Sequence, residues 1–134
     1  MRYFIDTNVI IDFLNGKQDA IDMLLPLLQD ETTSLYINRL VLIESLRGIK
    51  YAHSNKFINA KNALEQFQQL DIKEEIYLEA IDFARFCSSK GVTLKGSCEV
   101  IDFLHFITAK YYDLELITSD NDFEKLEEKY NEFK

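Results

Sequence analysis

Apolar and polar residues follow one another along this chain in a pattern that predicts short strands separated by helices. Short apolar runs predict strands at residues 2–6, 32–37, 70–72 and 114–118, and the tail is a candidate for an edge strand. Apolar residues at helical spacing predict helices at residues 8–14, 18–29, 39–49, 55–69, 74–89, 99–112 and 120–130. Strands that are separated by helices predict a three-layer α/β/α sandwich with a mostly parallel sheet of four to five strands.

Residues with special backbone preferences mark several of the predicted boundaries. Asn15-Gly16 is a C-cap signal after the first helix, and Gly91 has the same role after residue 89. Asn38 can cap the helix that follows it. Pro26 predicts a kink or a break in the second helix. Residues 92–98 are predicted to form a loop or a lid.

Composition places the chain among ordinary globular proteins. With 134 residues, of which 47% are hydrophobic and 28% charged, it can bury a core, and we expect residues 1–134 to form a single domain. Its two cysteines, Cys87 and Cys98, can make at most one bridge, and buried free thiols are expected. There is no leader and no apolar run as long as a membrane span, so we expect a cytoplasmic protein without membrane contact.

Charge is distributed unevenly along the sequence. The formal net charge is −8, but the segment 32–64 carries +4, from five basic residues and one acid, which leaves −12 for the rest. These residues are Arg39, Arg47, Lys50, Lys56, Lys61 and the acid Glu44. A polyanion could dock on this segment, and a basic peptide on the remainder. An ordinary solvated pair of helices explains the pattern equally well.

Four acidic residues lie in apolar surroundings. Asp6 ends the first strand, Asp120 follows the last strand, Glu44 lies on an apolar helix face, and Asp102 lies on the most apolar helix. Burying several carboxylates is costly unless each is compensated. Local partners are one explanation: a first-turn position for Asp102, Arg47 for Glu44, and a helix cap for Asp120. A shared divalent cation is the other.

The positions and chemistry of the four side chains limit where a shared cation could bind and which cation it could be. Two of the acids lie at the carboxyl ends of strands, which meet at one edge of a parallel sheet. An all-oxygen site suits Mg²⁺ or Mn²⁺ and does not suit zinc. His53 and His105 are isolated in the sequence, and neither a glycine-rich phosphate loop nor a serine nucleophile elbow occurs.

Four motifs contain these acids and follow one another along the chain. They are Asp6-Thr7-Asn8, Glu44-Ser45-Leu46-Arg47-Gly48, the segment from Asp102 to Ile107, and the segment from Leu116 to Phe123. Their order and spacing resemble the PIN-domain ribonucleases, in particular the VapC-type toxins of toxin–antitoxin pairs. The third motif matches at its acid, but the bulky His105 and Phe106 stand where the family commonly has small residues. The resemblance spans nearly the whole chain.

This resemblance implies an endoribonuclease that depends on Mg²⁺ or Mn²⁺, forms a homodimer and is inhibited by a cognate antitoxin. It implies that four acids are catalytic and hold the metal: Asp6, Glu44, Asp102 and Asp120, with Asp122 as the alternative fourth acid. It further suggests that three residues orient these ligands and three contact RNA: Asn8, Thr118 and Ser119 for the former, and Arg47, Lys50 and Lys56 for the latter. A degenerate PIN-like module that only binds RNA or protein is the alternative.

Overall fold

The structure is a computed structural model that describes residues 1–92, 94 and 99–134. Its helices and strands follow one another in nearly the predicted order. The elements are β1 (Arg2–Ile5), α1 (Thr7–Leu14), α2 (Gln18–Gln29), β2 (Ser34–Asn38), α3 (Arg39–Leu46), α4 (Ser54–Leu64), β3 (Gln68–Leu70), α5 (Glu74–Ser89), α6 (Glu99–Tyr111), β4 (Glu115–Ile117) and α7 (Asp122–Phe133). They form two compact units. The first comprises Met1–Asp71 and Glu115–Ser119, and the second Ile72–Leu114 and Asp120–Lys134. That residues 1–134 form one domain stays a prediction.

All four strands lie in the first unit and form one parallel sheet in the order β3-β2-β1-β4. Phe4 and Ile5 are both fully buried. Since consecutive strand residues point to opposite faces, the end of β1 is covered on both sides. The predicted α/β class and parallel sheet are confirmed, with four strands in the described residues. The expected edge strand in the tail is wrong, because α7 continues to Phe133.

In the sheet β1 lies between β2 and β4, and the chain connects to these two strands on opposite sides of β1. After β1 the chain crosses to β2 on one side, and much later it returns to β4 on the other side. In open parallel sheets such a reversal opens a crevice beyond the carboxyl ends of the two strands, where ligands bind. Asp6 and Thr118 each follow one of these strands directly.

Two of the predicted helices of the first unit end earlier than expected. Asn38 caps α3 as predicted, since its Oδ1 accepts a hydrogen bond from the Val41 N–H at 3.0 Å, but α3 ends at Leu46. The prediction of a helix to residue 69 is wrong, because Gln68–Leu70 pairs with β2. Its apolar stripe continues into the buried Phe67, which misled the prediction. Pro26 does not break α2.

Aromatic side chains from all three helices form the core of the second unit. The fully buried Phe83 of α5 contacts the rings of Phe103, Phe106, Tyr130 and Phe133. Seven consecutive residues of α6, from Phe103 to Ala109, are buried, as its apolar sequence predicts, and this run includes His105.

Several smaller expectations have mixed outcomes. Cys87 is a buried free thiol, as predicted, and burial raises its pKa. Cys98 and most of the expected loop or lid at 92–98 lie outside the described residues. The apolar sequence of β4 is that of a buried strand, but β4 is only partly buried: Glu115 at the sheet edge is exposed, and Leu116 is half-buried. No helix in the described part of the chain is long and apolar enough to cross a membrane.

Candidate active site

Asp6 joins the end of β1 to the start of α1. Its N–H donates to the Ile117 carbonyl at 2.9 Å, which extends the pairing of β1 with β4 by one residue. Its extended backbone makes it the N-cap of α1, where its Oδ1 accepts from the Thr7 N–H at 2.8 Å. The side chain is only 2% exposed. Backbone pairing and the cap together fix the Asp6 carboxylate at the carboxyl edge of the sheet.

The Asp6 carboxylate accepts hydrogen bonds from Thr7 and Thr118, and Thr7 connects it in turn to Glu44. Thr118, just after β4, donates its Oγ1–H to Asp6 Oδ2 at 2.8 Å. Thr7 in α1 donates its Oγ1–H to Glu44 Oε1 in α3 at 2.7 Å, while its backbone N–H binds Asp6. The structure therefore brings together Asp6, Glu44 and the orienting residue Thr118, with Thr7 connecting the two carboxylates.

Thr7 is a candidate site residue to which the sequence alone assigned no role. It served there only as part of the recognisable Asp6-Thr7-Asn8 motif. In the structure Thr7 is 6% exposed and forms hydrogen bonds with both Asp6 and Glu44. The available signal was a hydroxyl residue directly after an acid at a strand end. By contrast, Asn8 and Ser119 are exposed, and their roles in orienting ligands stay predictions.

The other predicted acids belong to the second unit. Asp102 lies half-buried in the first turn of α6. Asp120 Oδ1 accepts from the Asp122 N–H at 2.9 Å, just before α7, whose N-cap residue is Asn121. Asp122 forms an ion pair with Lys125 at 3.4 Å. The first-turn position that the sequence allowed for Asp102 is confirmed, whereas the N-cap position that it allowed for Asp120 is taken by Asn121. That all four acids meet stays a prediction.

The donor set of the first unit fits a hard divalent cation. Asp6 and Glu44 offer carboxylate oxygens, which Mg²⁺ and Mn²⁺ prefer, and hydrogen bonds from Thr7 and Thr118 fix the orientation of both carboxylates. Among the described residues, no group of three or more histidine, cysteine or acidic side chains is close enough to form a metal site. Further oxygen ligands would therefore have to join this pair when a cation binds.

Glu44 also lines a groove of about 710 Å³ between α1, α3 and α4. Of the described residues in its wall, Glu44 is the one acid and Lys56 the one base. The remaining lining residues are Ile11, Phe13, Leu14, Asn15, Ser45, Gly48, Ile49, Asn59, Ala60 and Ala63. Lys56 was predicted to contact RNA, and it shares this groove with the candidate catalytic glutamate. Arg47 and Lys50 are exposed beside it.

Comparison with known proteins identifies the class of the chain. The family model for the PIN domain matches residues 3–129, so the chain belongs to the PIN domain family. No curated protein matches it by sequence.

Two solved structures show the same fold. VapBC2 from Rickettsia felis, bound to a DNA fragment from its promoter, matches with a TM-score of 0.77 at 18% identity, over 94% of this chain and 93% of that chain. A toxin–antitoxin complex from Klebsiella pneumoniae matches with a TM-score of 0.67 at 21% identity, over 90% and 89%. At these identities the likeness concerns the fold, and the predicted PIN-like α/β fold is confirmed.

Proposed function

We propose that this chain is a metal-dependent endoribonuclease and the toxin of a toxin–antitoxin pair. It would hydrolyse phosphodiester bonds in RNA with Mg²⁺ or Mn²⁺ held by carboxylates. The observation that carries the proposal is the connection of Asp6 to Glu44 through Thr7, at the carboxyl edge of the sheet in a PIN-family chain. This edge lies at the reversal of strand order between β1 and β4, where α/β folds bind ligands.

In this proposal five residues of the first unit have defined tasks. Asp6 and Glu44 hold the cation, and a bound cation supplies positive charge that offsets the charge developing on the phosphate. Thr118 and Thr7 keep the two carboxylates in position through their hydrogen bonds. Lys56 in the groove attracts the phosphates of the RNA.

The second unit would complete the set of ligands. Asp102 and Asp120 are the proposed additional acids, and Asp122 is the alternative to Asp120. Because Asp120 already accepts a hydrogen bond from the Asp122 N–H, it is oriented in advance by the start of α7. This pre-orientation favours Asp120 over Asp122, which is engaged with Lys125.

A cognate antitoxin is the proposed protein partner, and the proposed state of the toxin is a cytoplasmic homodimer. Support comes from the fold neighbours, which are described as a VapBC2 complex and a toxin–antitoxin complex. An excess of acidic residues outside the segment 32–64 suits a partner with basic side chains. The toxin role predicts that induced expression arrests growth, and that Asp6→Asn relieves the arrest at an equal protein level.

The test of the chemistry is RNA cleavage by the purified protein. We expect cleavage with Mn²⁺ or Mg²⁺, none in excess EDTA, and a loss of at least about a hundredfold in Asp6→Asn and Glu44→Gln, because charge stabilisation contributes that much or more. Asp19→Asn is the matched control, since Asp19 is an exposed acid of α2 in the same unit and should leave cleavage unchanged. Cleavage that survives EDTA and both site variants would refute the proposal.

Titration with Mn²⁺ distinguishes the nuclease from a degenerate PIN-like binding module. The nuclease predicts a calorimetric binding signal in the wild-type protein and in Asp19→Asn, and its loss in Asp6→Asn. A wild-type protein that binds RNA but gives neither heat with Mn²⁺ nor cleavage would be the binding module.

A further inference from the structure

A shallow hollow lies where α3 turns into α4. Its volume is about 680 Å³, and described residues from the end of α3, the connecting turn and the start of α4 line it. They include Arg47, Lys50, Tyr51, Phe57 and Ile58. None of the described residues that line the hollow is acidic, although the chain as a whole carries a net charge of −8. The hollow is thus a locally cationic site on an acidic protein.

The cations of the hollow are available to an external ligand. Arg47 and Lys50 are both exposed, and within the described part of the chain no carboxylate forms an ion pair with either of them. Other exposed cations of the chain do have such partners; Arg39, for example, pairs with Asp71. A ligand with negative charge would therefore meet two cations without displacing an internal partner.

The apolar side chains of the hollow are unusually exposed. The Tyr51 side chain is 102% exposed, Ile58 is 53% exposed and Phe57 is 40% exposed. A fully exposed aromatic ring gains nothing from the fold of this chain, but it offers a flat face on which another ring can stack. A stacking ring beside cations is the combination with which proteins bind unpaired nucleic acid.

The hollow adjoins the groove that contains Glu44. Gly48 and Ile49 line both. Gly48 follows Glu44 by four residues and lies just beyond the end of α3 at Leu46. One strand of RNA could therefore lie in the hollow and reach the carboxylate of Glu44.

We propose that this hollow is a subsite for unpaired RNA, in which a base stacks on Tyr51 while Arg47 and Lys50 contact the flanking phosphates. The proposal rests on the proposed function, because it positions the RNA relative to Glu44. Tyr51 is a positioning residue and takes no part in the chemistry. A duplex cannot use this subsite, since its bases are already stacked on one another, so Tyr51 selects unpaired RNA.

Charge decides between RNA and a second copy of this chain as the occupant. A symmetric contact between two such hollows would oppose the same two cations from each copy, which is unfavourable. RNA brings one negative charge with every nucleotide and a flat apolar ring to match Tyr51.

The experiment measures binding of a fluorescently labelled oligouridine by the wild-type protein in EDTA, where cleavage is prevented. We expect Tyr51→Ala to weaken binding by roughly fivefold to a hundredfold, the usual contribution of one stacked base, and Tyr51→Phe to restore it. Binding of an RNA duplex should not change in Tyr51→Ala. Tyr77→Ala is the matched control, because Tyr77 is an exposed tyrosine on α5, with 46% of its surface accessible.

Photochemical crosslinking locates the contact. An oligouridine that carries one 5-iodouridine should form its adduct at Tyr51, as identified by mass spectrometry. Lys50→Gln should weaken the binding of unpaired RNA and reduce the slope of that binding against salt by about one. An adduct outside the hollow, or equal affinities for Tyr51→Ala and Tyr77→Ala, would overturn the proposal.

The remaining outcomes separate the two proposals. Self-association that weakens in Tyr51→Ala, with RNA binding intact, would make the hollow an interface between copies and overturn the RNA subsite. Cleavage of unpaired RNA with an unchanged KM in Tyr51→Ala would leave the nuclease standing and refute the subsite. Stacking on Tyr51 without any metal-dependent cleavage would support the subsite and refute the nuclease.

Discussion

Replacing Thr7 by valine removes one hydroxyl and almost no volume. In the wild-type protein this hydroxyl donates to Glu44 Oε1 at 2.7 Å. The backbone N–H of residue 7 donates to Asp6, and the substitution by valine keeps this bond. Thr7→Val therefore isolates the contact between α1 and Glu44. Thr7→Ser keeps the hydroxyl and removes the methyl group, so it is the matched control.

The expected cost follows from the character of the bond. A hydrogen bond to a charged acceptor contributes about 1.5–3 kcal/mol. Glu44 is only half-buried, so water replaces part of the lost contact, and we expect about 1–2 kcal/mol. For a chain of 134 residues the entropy of unfolding is about 0.28 kcal/mol/K, which converts this cost into a fall in Tm of about 4–7 °C.

The assay is thermal and urea denaturation in EDTA, combined with a double-mutant cycle. If the bond is responsible, Thr7→Val and Glu44→Gln should be coupled by about 1 kcal/mol, because each change removes part of the same interaction. Cleavage by Thr7→Val should fall while Thr7→Ser stays near the wild-type rate. A Thr7→Val protein that is as stable as Thr7→Ser, with no coupling to Glu44, would refute the bridging role of this hydroxyl.

Three further predictions concern the frame around the site. Asn38→Ala should cost about 1–2 kcal/mol in urea denaturation, since it removes the buried cap of α3 at Val41, and Asn38→Ser should recover part of it. The Thr32 hydroxyl donates to Asp30 and lowers its pKa, so this bond stabilises the fold above the ordinary pKa of the group and is lost as pH falls. Thr32→Val should therefore shift the acid-unfolding midpoint to higher pH, and an unchanged midpoint would contradict this. Phe83→Ala should lower the free energy of unfolding by about 3–5 kcal/mol, because it removes the central ring of the second unit. A free energy of unfolding equal to that of the wild-type protein would exclude the ring cluster as the core of this unit.

Local signals in the sequence predicted much of the fold because they act over a few residues. The bounds of α2 and α5 match the predictions, and both helices have apolar stripes at regular spacing. Asn38 caps α3 as predicted, because a side-chain cap depends only on the next three residues. The short β3 was misplaced for the opposite reason. Three residues carry too little periodicity to distinguish a strand from the end of a helix, and pairing with β2 decides the outcome.

The same distinction between local signals and long-range contacts applies to the candidate site. Asp6 and Glu44 could be chosen as candidates from the sequence, since an acid in apolar sequence is conspicuous. The bridging role of Thr7 could not, because it depends on the register of α3 against α1, over 37 residues of sequence separation. Likewise, the bond from Thr118 to Asp6 spans 112 residues and exists only because β4 pairs beside β1.

Asp6 carries two tasks that impose different demands, and this allows folding and function to be separated. As the N-cap of α1 it needs only an acceptor oxygen for the Thr7 N–H, and asparagine caps helices about as well as aspartate. As a metal ligand, its proposed second task, it would need its negative charge. Asp6→Asn removes the charge and keeps the cap, and the Thr118 hydroxyl can rotate to bind the new amide. A loss of cleavage in Asp6→Asn that comes without a loss of stability therefore measures the charge at this position and not the integrity of β1 and α1.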